Sequence, residues 1–169
     1  RNPRRRHRRL GGAAGLRDAG RRLGREVRSA GAVGHAGRDP AVDARLFFPP
    51  PARDWKETLA KIDAFLFVTP EYNRSIPGGL KNAIDWASRP YGQNSFNRKP
   101  SAVIGTSPGQ IATAVAQQHL RSLLSFCNSP QMNSPEAYIH FRKDLFDDEG
   151  NVLDESTASF LHKYMAEFA

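Results

Sequence analysis

A short polar segment at residues 69–75 holds the side chains best suited to bind a ligand. It follows an apolar run at 65–68 and precedes Pro77, a favourable first residue for a helix. It combines a carboxylate, an aromatic ring, an amide and a hydroxyl. Loops at the carboxyl ends of parallel strands are where open α/β sheets bind ligands. We therefore expect a binding loop here; the alternative is an ordinary turn in which Asn73 and Ser75 cap the next helix.

A second loop, which contains two glycines, lies at 105–109 and again follows an apolar run. No Gly-Lys-Ser or Gly-Lys-Thr sequence comes after it, so it is not a phosphate-binding P-loop. Taken alone, it would be an ordinary glycine turn. One predicted helix and one predicted strand separate it from the first loop. This is the spacing expected of neighbouring loops at one edge of a parallel sheet.

Apolar runs predict the elements that must position these loops. Buried strands are predicted at 64–69, 101–106 and 136–141. Helices are predicted at 77–88, 110–127 and 156–168. Before the first strand, Trp55, Leu59 and Ile62 indicate one face of a short helix, with Asp54 as its expected N-cap. Strands that alternate with helices indicate βαβ units and a parallel sheet, so the predicted fold class is α/β.

The basic residues are concentrated in the N-terminal part of the chain. The net charge is +8, yet residues 1–55 hold 14 arginines and only five acidic residues, whereas the remainder holds 11 basic and 12 acidic ones. Residues 1–45 contain 29 Arg, Gly and Ala residues and no aromatic residue. This composition predicts disorder, with a basic helix near 16–30 as the ordered alternative. The length predicts one domain, at 47–169, preceded by an aberrant or disordered segment at 1–46.

The sequence Pro-Glu-Tyr-Asn-Arg-Ser-Ile-Pro-Gly-Gly at 70–79 closely resembles the signature of the flavodoxin-like NAD(P)H-dependent FMN reductases. This family includes quinone, chromate and azo-dye reductases. The resemblance covers about residues 50–169 and includes segments at 87–94, 116–121 and 135–138. It implies a flavodoxin-like three-layer α/β sandwich with a parallel sheet. It also implies FMN and NAD(P)H as cofactors of an oxidoreductase that reduces quinones, azo compounds or metal oxyanions.

The same resemblance assigns the binding residues, and it places the flavin ring beside both loops. Because a flavin carries the redox chemistry itself, no catalytic side chain and no metal site are expected. Pro70 and Pro77 stiffen the first loop. Tyr72 can offer a flat face to the ring, and Asn73 can donate to and accept from its polar edge. The implied flavin contacts are Pro70, Glu71, Tyr72, Asn73, Ser75, Thr106 and Ser107.

Further expectations concern partners and location. The resemblance implies a homodimer or homotetramer that acts on a small-molecule electron acceptor, with the site at a subunit interface. No apolar run approaches the ~20 residues of a membrane helix, and the one cysteine excludes an internal disulfide, so we expect a cytoplasmic protein. That residue, Cys127, is expected to be a buried helix thiol. His119 has no acid or thiol nearby in the sequence and is expected to be structural or interfacial.

The resemblance fails over residues 1–46. Members of the family begin with a strand and a Gly-Ser-Leu-Arg…Ser…Asn loop that binds the FMN phosphate, and we find no such loop here. We hypothesise that this segment is frame-shifted relative to an ordinary reductase, which leaves the sandwich incomplete and impairs FMN binding. The alternative is a genuine Arg-rich arm on a non-enzymatic flavodoxin-like remnant, and such an arm would bind nucleic acid or another polyanion.

Overall fold

The computed structural model describes residues 48–169. The predictions for residues 1–46, namely disorder, a basic helix or arm, and a missing phosphate loop, lie outside the described residues. The described residues belong to two compact units, which we treat in turn. The first comprises residues 48–63 and 79–95, and the second comprises residues 64–78 and 96–169.

In the first unit, helix α1 spans Pro50–Ala60. The prediction that Asp54 is its N-cap is wrong, because the helix begins five residues earlier with Pro49 as the N-cap. Proline suits the first helical position, since its fixed φ is helical and the N–H that it lacks would have no partner there. Asp54 lies inside the helix instead, where its carbonyl oxygen accepts a 2.9 Å hydrogen bond from the Thr58 hydroxyl.

Helix α2 spans Gly78–Ala87, close to the predicted range. Two side chains of α1 tie the helices together. The indole N–H of Trp55 donates to the carbonyl oxygen of Ala83 at 3.1 Å. The ammonium group of Lys56 satisfies all three of its donors, and burial lowers the pKa of this group. Its acceptors are the carbonyl oxygens of Ala87 (2.9 Å) and Gln93 (2.6 Å) and the hydroxyl of Ser95 (3.0 Å).

The second unit is built on a parallel sheet. Its strands are β1 (Phe65–Val68), β2 (Ser101–Ser107) and β3 (Ala137–His140). The order is β1-β2-β3, and both pairings are parallel. All three predicted strands are confirmed to within two residues at each end. The α/β prediction is confirmed with them, and β2 is the central strand of the described sheet.

Helices α3 (Ala114–Phe126) and α4 (Glu155–Phe168) flank β2 on opposite faces. Ala102 packs with Tyr164 of α4, and the Tyr164 hydroxyl donates a 2.8 Å hydrogen bond to the carbonyl oxygen of Val103. Gly105 lies three positions after Ala102, and a side chain there would instead meet Thr113, the residue before α3. Because side chains alternate along a strand, these contacts place the two helices on different sides of the sheet. No helix within residues 48–169 is long and apolar enough to cross a membrane.

Helix α3 begins four residues later than predicted. Residues 110–113 form a turn instead, and Ala112 takes a left-handed conformation with φ of 47°. Helix propensity alone does not anticipate this turn, because tertiary contacts can override it. At the other end of the helix, Cys127 is the buried C-cap residue, which confirms the predicted buried thiol.

Strand β1 is less buried than the sequence predicts. Phe65 is buried and packs edge-on against Phe96, with a ring-centroid distance of 5.1 Å. Leu66 and Val68 are exposed, Val68 by 70%. The apolar run suggested a strand covered on both faces, but β1 is an edge strand of the described sheet and its alternate side chains point away from the Phe65 side.

Candidate active site

Two loops leave the sheet side by side at the carboxyl ends of β1 and β2. The amide of Thr69 donates to the carbonyl oxygen of Ile104 at 3.0 Å, which continues the β1–β2 pairing by one residue. A Cβ at Gly105 would overlap the carbonyl oxygen of Thr69 and lie only 2.5 Å from Oγ1 of Thr113. Glycine therefore sets how closely the first loop, the central strand and the start of α3 approach one another.

The first loop contains a two-residue hairpin turn. Tyr72 and Ser75 exchange backbone hydrogen bonds of 2.9 and 3.0 Å. Asn73 and Arg74 lie between them with φ of 52° and 63°. Left-handed conformations at both central positions are typical of a type I′ turn, and asparagine tolerates that region better than most residues. The hairpin, residues 72–75, therefore has a defined backbone conformation.

Glu71 anchors the hairpin. Only 7% of its side chain is exposed, and Oε2 accepts a 3.0 Å hydrogen bond from the amide of Ala116 in the first turn of α3. Oε1 pairs with the guanidinium of Arg74 at 3.2 Å. A carboxylate is favoured at a helix N-terminus by the free amides and the helix dipole. The Glu71 side chain is thus engaged with the protein and holds the start of the first loop against α3.

The remaining side chains of the first loop differ in exposure. Tyr72 is 61% exposed, and Pro70 and Asn73 are exposed as well. Ser75 is half-buried. The loop therefore presents an aromatic ring and an amide to solvent on a fixed backbone.

The second loop is held by backbone and hydroxyl contacts. The Ser107 hydroxyl accepts a 3.2 Å hydrogen bond from the amide of Gly109, and the Ser107 carbonyl accepts one of 3.0 Å from the amide of Phe141. The hydroxyl of Thr106 is buried and has no hydrogen-bond partner among the described residues. A buried hydroxyl without a partner is costly, so an outside donor or acceptor would be favoured there.

One contact at this site was not predicted from the sequence. Nδ1 of His119, on α3, lies 3.1 Å from the hydroxyl oxygen of Ser75. The two residues are 44 positions apart, so no local pattern connects them. The helical spacing of His119, three positions after Ala116 on the same side of α3, becomes informative only once the Glu71–Ala116 contact is known.

Within residues 48–169, no group of three or more His, Cys, Asp or Glu side chains is arranged to hold a metal ion.

The structure groups the predicted binding residues into two neighbouring loops. The first comprises Pro70, Glu71, Tyr72, Asn73 and Ser75, and the second comprises Thr106 and Ser107.

Comparison with known proteins identifies the family. The family described as NADPH-dependent FMN reductase matches residues 23–144. The chain is 49% identical over 122 residues to a 2-hydroxy-1,4-benzoquinone reductase of a Burkholderia species, which covers 72% of this chain and 67% of that protein. It is 48% identical over 128 residues to a quinone reductase of Pseudomonas putida, which covers 75% and 68%. The family match begins inside the segment predicted to be aberrant, and that part lies outside the described residues.

A solved structure agrees with these relatives. The flavoenzyme FerB of Paracoccus denitrificans, an NAD(P)H:(acceptor) oxidoreductase, matches with a TM-score of 0.73 and 39% identity, over 96% of this chain and 90% of that chain. This likeness confirms the flavodoxin-like fold. The names of these relatives describe reductases and a flavoenzyme, and none of them mentions nucleic acid. The chain spans about two thirds of the length of the curated relatives. It belongs to the NADPH-dependent FMN reductase family, as an oxidoreductase that uses FMN and NAD(P)H.

Proposed function

We propose that this enzyme carries electrons from NAD(P)H to quinones, and that the two loops after β1 and β2 hold the FMN ring. The observation that carries the proposal is the position of both loops at the carboxyl edge of a parallel sheet, where α/β proteins bind ligands. The relatives named as quinone reductases support the acceptor class. Neither the named relatives nor residues 48–169 add support to the nucleic-acid alternative.

The residues of the site fit a flavin. A flavin ring has a polar edge that needs donors and acceptors and an apolar face that needs a flat contact. The unpartnered hydroxyl of Thr106 and the backbone groups of Glu71 suit the edge, and the Pro70 carbonyl, which accepts a 2.9 Å hydrogen bond from the Thr69 hydroxyl, keeps one further lone pair for a donor. The exposed ring of Tyr72 suits the face, and the amide of Asn73 can donate and accept. Bound between these loops, FMN would supply the redox chemistry, namely two-electron transfer from the reduced nicotinamide to the acceptor.

The protein's own contribution is to bind and orient. Glu71 fixes the start of the first loop on α3, and the type I′ turn fixes its tip. Ser107 holds the second loop through the amide of Gly109. Preorganised groups of this kind need no rearrangement when the ring arrives, so little ordering entropy is lost on binding.

We also propose that the enzyme acts as a homodimer or homotetramer with the site at a subunit interface. The family resemblance supports this, and the exposed aromatic ring of Tyr72 is the kind of side chain that interfaces enrich. Sedimentation of the purified chain would give the oligomer mass. A cytoplasmic location is consistent with the need for NAD(P)H and stays a prediction.

The test is flavin binding by two loop variants. Tyr72→Ala should weaken riboflavin binding about 3- to 10-fold, as expected for loss of an aromatic contact of about 0.5–1.5 kcal/mol. Asn73→Gly should also weaken it, while glycine keeps the left-handed turn. Phe126→Ala is the control, because it removes another exposed aromatic ring at the far end of α3.

Flavin fluorescence quenching gives the affinity, and NAD(P)H oxidation with a benzoquinone gives the activity. Equal affinity in the parent and both loop variants would show that the ring binds elsewhere. If flavin binds but quinone does not stimulate NAD(P)H oxidation, the acceptor class is wrong.

A further inference from the structure

Helix α3 contacts the first loop at two points, one on each side of the hairpin tip. Before the tip, the carboxylate of Glu71 accepts from the amide of Ala116 at 3.0 Å. After the tip, the hydroxyl of Ser75 lies 3.1 Å from Nδ1 of His119. Residues 116 and 119 are one helical turn apart, so both contacts fall on one face of the helix.

We infer that His119 is a positioning residue that holds the hairpin, residues 72–75, against α3. The Glu71 contact fixes where the hairpin begins, and the His119 contact fixes where it ends. Together they define the direction in which Tyr72 and Asn73 point. The consequence for the flavin rests on the proposed function, because it requires that the hairpin contact the ring.

The hairpin needs such a support. Tyr72 and Ser75 join it by two backbone hydrogen bonds, and an isolated hairpin is marginally stable in water. Both central residues take left-handed conformations, which are unfavourable for most residues other than glycine. Tyr72 is largely exposed and therefore supplies little burial. The side-chain contacts of Glu71 and Ser75 are what connect this segment to a helix of the same compact unit.

The chemistry of the pair suits a permanent contact. A serine hydroxyl can donate to an unprotonated Nδ1 or accept from a protonated one, so the hydrogen bond forms with either tautomer of His119. His119 is exposed, so its removal leaves no cavity in the core. A substitution here should therefore act on the hairpin rather than on the overall fold.

The first test measures the hairpin without flavin. Amide hydrogen exchange of Tyr72 and Ser75, read by NMR in the full chain, should become about 3- to 10-fold faster in His119→Ala, as expected for loss of one ordinary hydrogen bond. Alanine is a better helix former than histidine, so a general effect on α3 would slow exchange instead. His119→Asn places an amide near the position of Nδ1 and should restore the parental rate, with nearly the same helix propensity as histidine.

A double-mutant cycle with Ser75→Ala isolates the pair. The double variant should exchange no faster than either single variant, because the same hydrogen bond is removed in each. Unchanged exchange in His119→Ala, fully additive effects, or exchange in His119→Asn as fast as in His119→Ala would overturn the proposal.

The second test connects the hairpin to the flavin. Riboflavin affinity should fall in His119→Ala by at most the factor by which the exchange rate rises, because apparent affinity follows the population of the closed hairpin, and it should recover in His119→Asn. If exchange responds as expected while none of the proteins, the parent included, binds flavin, the positioning role stands and the proposed flavin site fails. Loss of affinity without any change in exchange would overturn the positioning role alone.

Discussion

The carboxylate of Glu71 serves the N-terminus of a helix that begins 43 residues later in the chain, through its 3.0 Å hydrogen bond from the amide of Ala116. Helix α3 has no acidic residue in its own first turn, and its N-cap residue, Thr113, makes no side-chain capping bond. The loop that we assign to the flavin and the helix behind it therefore stabilise each other.

Glu71→Ala should lower the free energy of unfolding by about 1–2 kcal/mol, the usual cost of losing a helix cap. Glu71→Gln should cost less, because the amide oxygen can still accept from Ala116. Urea unfolding measures both, and Glu57→Ala on the exposed side of α1 should change the midpoint little. A Glu71→Ala protein as stable as the parent would show that the contact contributes nothing.

Gly105→Ala should destabilise the protein by about 1–3 kcal/mol, because the added methyl overlaps the carbonyl of Thr69 and crowds Thr113. It should also weaken riboflavin binding, since both loops must move. Gly78→Ala is the matched control: a Cβ there meets nothing within 4 Å, so stability should be unchanged or slightly raised. Thermal unfolding of the two variants in parallel distinguishes crowding from the general effect of replacing glycine.

Acid should weaken the cap of α4. The Asp154 carboxylate accepts from the hydroxyls of Ser156 and Thr157 and from the amide of Thr157, and these bonds hold its pKa well below the ordinary value. A lowered folded-state pKa means that the stabilisation is complete above the unfolded pKa of about 3.9 and is lost as the pH falls further. The urea midpoint measured from pH 6 to pH 2 should fall less steeply in Asp154→Asn than in the parent. Parallel profiles would contradict the prediction.

FMN should bind this chain no more tightly than riboflavin, which lacks the phosphate. We find no phosphate loop in the sequence of residues 1–46. Charge-assisted hydrogen bonds contribute about 1.5–3 kcal/mol each, so two missing ones would weaken FMN binding by about two to four powers of ten. Parallel titrations with the two flavins test this. A strong preference for FMN would mean that the chain does build a phosphate site, and the frame-shift hypothesis would then be wrong.

The sequence predicted the parts of the structure that depend on local pattern. Strand β2 and helix α4 were located to within one residue, because β2 is a short buried run and α4 repeats Phe160, Tyr164 and Phe168 at helical spacing. The start of α3 was missed, since the left-handed turn at Ala112 arises from how the second loop packs and not from the propensity of residues 110–113. The proximity of the two loops after β1 and β2 followed from sheet topology. The His119–Ser75 contact could not be predicted, because the two residues are 44 positions apart and their contact depends on the exact path of the first loop along α3.

The type I′ turn also separates two kinds of position within the first loop. Glu71 and Ser75 contact α3 and determine where the loop lies, whereas Asn73 and Arg74 form a tip that requires tolerance of positive φ, with an added ion pair from Arg74 to Glu71. A library that randomises the tip, with Asn-Gly or Gly-Asn as the reference turns, would vary the surface offered to an acceptor while the anchors stay constant. Divergence of acceptor preference through these two adjacent codons is therefore open to residues that tolerate positive φ, and replacing Arg74 also removes its ion pair with Glu71.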